Sequence, residues 1–231
     1  MKKLIFVTQS KGGAGKSILT FLLAEKYKEA IILDLDDATK TTSIQLKYRK
    51  PIEITFLNSQ NVIDRGMFNM FLEEITSIDN DLFICDLGAS ISEQLPYYLE
   101  DVADIIPEVL SELKIDLEIY NVVGGANIFK QTMSYLKLLH KAAKKSYNIK
   151  VYQNEYYDFQ EPQEEELKSF VKKNGLELIP FTISRDKNES TQERIKQVLT
   201  SGKGIDSANI ISKMYFKKAI ENLKAVDNQV A

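Results

Sequence analysis

The chain has 231 residues, 44% hydrophobic and 27% charged, with a formal net charge of −3 and a pI near 5.5. That is enough apolar material for a single α/β domain over 1–231 with its own core. The acidic balance excludes a strongly basic nucleic-acid binder, although local patches stay open. A lone cysteine, Cys85, excludes an internal disulfide and fits a reducing compartment. The first apolar run is too short for a signal peptide, and no run approaches the ~20 residues of a membrane span. The expectation is a cytoplasmic protein that does not insert in a membrane.

Leu4–Thr8 reads as a strand with no polar alternation, as in a central parallel strand covered on both faces. A glycine-rich run, Lys11-Gly12-Gly13-Ala14-Gly15-Lys16-Ser17, follows, and Ile18–Lys28 reads as a helix. The strict phosphate-loop pattern G-x-x-x-x-G-K-[ST] would need glycine at position 10, where Ser10 stands. The physics survives that departure. Gly12, Gly13 and Gly15 let backbone N–H groups turn toward phosphate oxygens. Lys16 can reach the β- and γ-phosphates, Ser17 can hold Mg²⁺, and the helix opening at Ile18 aims its positive end at the anion.

Ala30–Asp34 is a second buried strand, closing in Asp34-Leu35-Asp36; carboxylates two apart point to one side of an extended chain. Ile52–Leu57 is a candidate strand and Gly66–Thr76 a helix. Asp81–Asp86 is an apolar strand ending in a carboxylate, the pattern that reaches Mg²⁺ through water. From Glu93 to Leu113 apolar residues recur at steps of three and four, so the spacing predicts one helix, kinked at Pro107.

Leu117–Val123 then reads as strand, Asn127–Lys145 as helix, and Ile149–Asn154 as a strand ending in an amide. Gln163–Asn174 reads as helix, Leu176–Ile183 as strand, and Thr191–Thr200 and Ser207–Val226 as closing helices. This alternation predicts a doubly wound, mostly parallel sheet with helices on both faces. His140 and Cys85 read as structural residues, and Tyr152, Tyr156 and Tyr157 as packing at a sheet edge.

The run Lys11–Ser17 resembles the KGGxGK[ST] deviant phosphate loop of the ParA/MinD superfamily of ATPases. That resemblance implies ATP and Mg²⁺ as ligands, with Gly12, Gly13, Ala14, Gly15, Lys16, Ser17 and Ile18 around the nucleotide. It implies an ATP-dependent homodimer in which Lys11 reaches the phosphates bound to the partner subunit, as an arginine finger does. Asp36 would orient or activate the attacking water; Asp34 and Asp86, with Ser17 and Asp36, would serve the metal; Asn154 would read the adenine base. Pro180–Arg185 and Ser201–Gly204 resemble the family's C-terminal base-binding region. The chain departs from the family at Asp37-Ala38 and at Gly88, where prolines or glutamine are common.

The resemblance further implies segregation or positioning of plasmid or chromosomal DNA, with a DNA-binding adaptor protein as partner and nonspecific DNA contact as an option. Two lysine clusters bear on that option: Lys141, Lys144, Lys145 and Lys150, and Lys213, Lys217, Lys218 and Lys224. The C-terminal Asp227–Ala231 is neither basic nor apolar, so membrane targeting through it is not expected. Three other readings stand beside partition: a conjugation-associated positioning ATPase, a small-molecule-activating P-loop enzyme, and a regulator that binds nucleotide without hydrolysing it.

Overall fold

Runs of apolar residues without alternation can be satisfied only by strands covered on both faces, and the chain builds its centre from them. The computed structural model describes residues 1–36, 38–143 and 146–223. In chain order these form β1 (Lys2–Thr8), α1 (Lys16–Lys26), β2 (Ile31–Leu35), α2 (Thr41–Gln45), β3 (Ile52–Glu53), α3 (Arg65–Ser77), β4 (Leu82–Leu87), α4 (Ala89–Asp101) and α5 (Ile106–Glu112). They continue with β5 (Ile115–Gly124), α6 (Phe129–Ala143), β6 (Asn148–Asn154), α7 (Glu161–Lys173), β7 (Glu177–Phe181), α8 (Glu189–Ser201) and α9 (Ile210–Asn222).

The sheet has seven strands in the order β3-β2-β4-β1-β5-β6-β7, and every pairing is parallel. The expected doubly wound architecture is therefore present. Side-chain alternation divides the core in two. Leu4 and Phe6 of β1 pack with Phe83, Cys85 and Ile119 under α3 to α7. Ile5 and Val7 pack with Ile32, Ile84, Tyr120 and Tyr152 under α1, α8 and α9. Because all strands run one way, Thr8, Leu35, Leu87, Gly124, Asn154 and Phe181 end along one edge, the edge where such sheets bind ligands.

Several sequence expectations need correction. Glu93–Leu113 is not one kinked helix: α4 ends at Asp101, and α5 begins at Ile106 with Pro107 in its first turn. A proline has no N–H to extend a helix but fits a first turn, where that donor would have no partner. Of Ile52–Leu57 only Ile52–Glu53 pairs with β2; Leu57 instead bridges antiparallel to Ile63. α2 has no counterpart in the periodicity reading, being too short to show a period. The last helix ends at Asn222. The expectations for Asp37, Lys144, Lys145, Lys224 and the C-terminal Asp227–Ala231 fall outside the described residues.

Cys85 is fully buried and burial pushes its thiol well up, so it is an inert core residue. His140 packs edge-on against Phe170 with ring centroids 5.7 Å apart, a structural role. Lys150 belongs to no surface patch: it is buried, with its ammonium 3.3 Å from Glu118. Among the described residues no helix is long and apolar enough to cross a membrane.

Candidate nucleotide-binding site

The glycine run joins the end of β1 to the start of α1. Gly15 caps α1 with φ 107°, a backbone conformation that favours glycine. No side chain caps this end and no carboxylate lies in the first turn, so the first amides of α1 are open to an anion. The loop is held from below. Gln9 is buried, donates from Nε2 to the Val122 carbonyl at 2.7 Å, and accepts the Lys11 N–H at 3.3 Å.

Gly12, Gly13, Gly15, Lys16, Ser17 and Ile18 border a cavity of about 370 Å³, closed on its far side by Asp36, Thr39, Thr41 and Gln45 and by Ala89 and Ser90 of α4. Burial lowers the Lys16 ammonium, while Asp86 and Asp36 act in the opposite direction. A lysine in that setting has exchanged hydration for nearby negative charge and is prepared for a phosphate.

Asp34 of β2 and Asp86 of β4 stand side by side in register, both buried on the α1 side of the sheet. Asp86 Oδ2 accepts from the Ser17 hydroxyl at 2.6 Å and the Thr42 hydroxyl at 2.5 Å. Its Oδ1 is buried and, among the described residues, has no hydrogen-bond partner. Burial, partly offset by Ser17, Thr42 and Lys16, pushes its carboxyl up to about 6, and Asp34 adds to the rise. A carboxylate that raises its own cost in this way is suited to a cation that the triphosphate would bring.

Asp34 is used differently. Its oxygens accept the N–H of Asp36 at 3.1 Å and of Ser43 at 2.6 Å, so it anchors the chain after β2 and the first turn of α2. It borders a separate cavity of about 280 Å³ with Asp36, Lys40 and Glu53. Among the described residues no three His, Cys, Asp or Glu side chains converge as a metal cluster. Asp34, Asp36 and Asp86 therefore do not form one cage. The arrangement fits Mg²⁺ held by Ser17 and Asp86 together with phosphate oxygens, the sparse protein coordination that ion favours.

Asp36 accepts from the N–H groups of Ala38 and Thr39, at 3.1 and 3.3 Å, and from the Thr39 hydroxyl. It faces the phosphate cavity. Gly88 N–H donates to the Leu35 carbonyl at 3.1 Å, which locks the turn after β4 onto the end of β2. Lys11 is half-buried and does not border this chain's own cavity; among the described residues its ammonium makes no ion pair.

Asn154 lies under the phosphate loop. Its Nδ2 donates to the Ala14 carbonyl at 2.8 Å, and its Oδ1 accepts the Tyr156 N–H at 3.1 Å. One donor and one acceptor site of the amide are thus spent on the loop and turn, and one of each is left. Tyr157 also reaches the loop, its hydroxyl donating to the Gly13 carbonyl at 2.6 Å, so it is more than sheet-edge packing.

Beyond Ile18 a second cavity of about 370 Å³ opens between β7 and α8, bordered by Asn154, Tyr156, Thr182, Ile183, Ser184 and Leu199. The phosphate cavity and this more apolar one share Ile18 and Gln45 and so adjoin, a polar compartment beside an apolar one. Of Pro180–Arg185, the residues Thr182 to Ser184 border it. Ser201–Gly204 does not: the Gly202 carbonyl accepts the Tyr48 N–H at 3.1 Å, placing that turn against the segment after α2. Gln9, Thr42 and Gln45 were not singled out from sequence, and Tyr157 was read only as packing; the threonine pair Thr41-Thr42, shortly after a carboxylate-ended strand, carried some signal.

No protein-family model matches the chain. It is 25% identical over 217 residues to Protein TraL of Escherichia coli, covering 90% of this chain and 87% of that protein. A second Escherichia coli Protein TraL is 27% identical over 215 residues, with 84% and 85% covered. Among solved structures, a Borrelia burgdorferi B31 protein assigned to plasmid partition, bound to AMPPNP, superimposes with a TM-score of 0.54 at 14% identity, covering 96% of both chains. The likeness to that structure is one of fold, a parallel sheet with helices on both faces.

Proposed function

We propose that the chain, acting over 1–231 as one P-loop domain in the cytoplasm, binds ATP with Mg²⁺, pairs with a second copy and hydrolyses ATP slowly to position DNA or DNA-handling machinery. The observation that carries this reading is that Lys16 and Ser17 border the phosphate cavity while the Ser17 hydroxyl donates to the buried Asp86 carboxylate at 2.6 Å. The AMPPNP in the structural relative supports a nucleotide as ligand.

Each residue then has a task. The loop amides of Gly12 to Ser17 and the Lys16 ammonium hold the triphosphate. Ser17 and Asp86 would hold Mg²⁺, which when bound offsets negative charge on the phosphate oxygens. Asp36 takes a proton as a water oxygen bonds to the γ-phosphorus and the bond to the β,γ-bridging oxygen breaks, releasing ADP and phosphate. Lys11 stabilises the transferring group in the partner's site.

Mixing two inactive variants tests this. Lys11→Ala should bind ATP nearly as wild type yet lose turnover by roughly a hundredfold or more. Asp36→Ala should also be inactive. In a mixture, random pairing gives dimers with one complete site, and turnover should return to about a quarter of wild type. No recovery on mixing would sink the trans role of Lys11, and absence of ATP binding by the wild type would sink the nucleotide reading itself.

For the cargo, the likeness to two TraL proteins favours the conjugation-associated alternative alongside plasmid partition. Turnover stimulated by DNA and an adaptor would support partition, and stimulation only by components of a transfer apparatus would support the alternative.

A further inference from the structure

We infer that Gln45 selects the nucleotide by its sugar, accepting a hydrogen bond from a ribose hydroxyl; the inference rests on the nucleotide reading above. Gln45 is the last residue of α2 and only 9% exposed. Its Oε1 is buried and, among the described residues, has no hydrogen-bond partner. A buried carbonyl left in that condition costs free energy, which a ligand donor recovers.

The position of that oxygen names the donor. Gln45 and Ile18 border both the phosphate cavity and the more apolar cavity beyond it. Whatever places phosphates on the loop and a base between β7 and α8 must pass its sugar between these two side chains. Ile18 can only pack there. Gln45 offers an acceptor, and hydroxyls are the donors a sugar carries.

The helix that carries the side chain is also fixed in advance. Thr42, one turn earlier, is tied to Asp86 at 2.5 Å, and just after α2 the Tyr48 N–H is tied to the Gly202 carbonyl at 3.1 Å. With α2 pinned on both sides, the helix need not move for the amide to meet a ligand.

The test compares binding of ATP, 2′-deoxyATP, 3′-deoxyATP and ITP, each with Mg²⁺, to wild type, Gln45→Met and Gln45→Glu by titration calorimetry. Wild type should bind one of the two deoxy analogues roughly tenfold more weakly than ATP. Gln45→Met should bind ATP and that analogue alike, and Gln45→Glu, which keeps an oxygen acceptor, should retain the ratio. Nucleotide-free Gln45→Met should melt at or above wild type, because it removes an orphan carbonyl. Equal binding of all three sugars by wild type overturns the inference. So does a ratio that survives in Gln45→Met, a change confined to ATP against ITP, or a nucleotide-free Gln45→Met that melts well below wild type. Failure of wild type to bind ATP at all would instead overturn the nucleotide reading.

Discussion

Gly88 lies so close to Asp36 that a Cβ on the glycine would stand 2.9 Å from the Asp36 Cα and 3.0 Å from its Oδ1. The turns that follow β4 and β2 are thus in contact, and the carboxylate assigned to the attacking water is positioned by the absence of a side chain. Gly88→Ala must displace one of the two turns, since the Leu35 carbonyl is also 3.0 Å away. The expected result is a stability loss of about 1–3 kcal/mol with ATP affinity little changed and turnover down roughly tenfold or more. Denaturant melts and steady-state hydrolysis would check both parts.

Asn154 separates two roles that sequence alone runs together. A Cβ at Gly15 would lie 2.4 Å from Asn154 Nδ2, so the amide and the loop are packed face to face. If its main work is to prop the loop, Asn154→Ala weakens ATP and GTP by the same factor, roughly fivefold to tenfold for one lost hydrogen bond and its packing. A base-reading role would instead change the ratio of the two. Competition titrations with both nucleotides decide the matter.

Asp86 gives a pH-dependent prediction. Its carboxyl is raised from 3.8 to about 6 in the fold, chiefly by burial. The folded chain therefore binds this proton more tightly than the unfolded chain, and stability falls as pH rises from about 4 to about 6. Above that window the ionised group costs about 3 kcal/mol. Asp86→Asn in metal-free, nucleotide-free buffer should raise the melting temperature at pH 8 and lose most of that gain at pH 4, while abolishing Mg²⁺-dependent nucleotide binding. A variant less stable than wild type at pH 8 would contradict this account.

Around Glu118 of β5 the charges act in the other sense. Glu118 is buried between Lys3 at 3.2 Å and Lys150 at 3.3 Å and accepts the Tyr120 hydroxyl at 2.8 Å. Burial alone would raise its carboxyl, but Tyr120, Lys150 and Lys3 outweigh it and hold it below its ordinary value. That contribution is complete above the ordinary carboxylate range and is lost as pH falls through the lowered value. Glu118→Gln should cost about 3 kcal/mol at pH 7, because two buried ammonium groups lose their shared carboxylate. Nucleotide affinity should be unchanged, since none of these side chains borders the phosphate cavity. Urea melts at pH 7 and pH 3 would show the difference between variant and wild type shrinking with acid.

The parallel sheet and the phosphate loop were legible from sequence because each rests on a local signal: uninterrupted apolar runs, and glycines beside a lysine and a serine. Asp86 was legible because a carboxylate closes its strand. Three things were not. The break between α4 and α5 was hidden because the apolar spacing continues across it, and only the missing donor of Pro107 marks it. Lys150 looked like part of a basic surface because charge patterns carry no information about which face of a strand is buried. Thr42, Gln45 and Tyr157 owe their roles to contacts formed far along the chain; Thr42 and Asp86 are 44 residues apart. No window of sequence contains both partners of such a pair.

The central position of β1 sets the order in which the protein can be made. Its two neighbours in the sheet are β4 and β5, whose last residue is Gly124, and the loop that follows β1 is propped by Asn154. While the chain is being synthesised, β1 has no partner until β4 has been made, and it is flanked on both sides only after β5, which ends past the midpoint of these 231 residues. Closure over such long sequence separations is slow, and exposed apolar strands are open to wrong pairing in the interval. The candidate nucleotide cleft is therefore complete only late, when the strand ending in Asn154 joins the sheet.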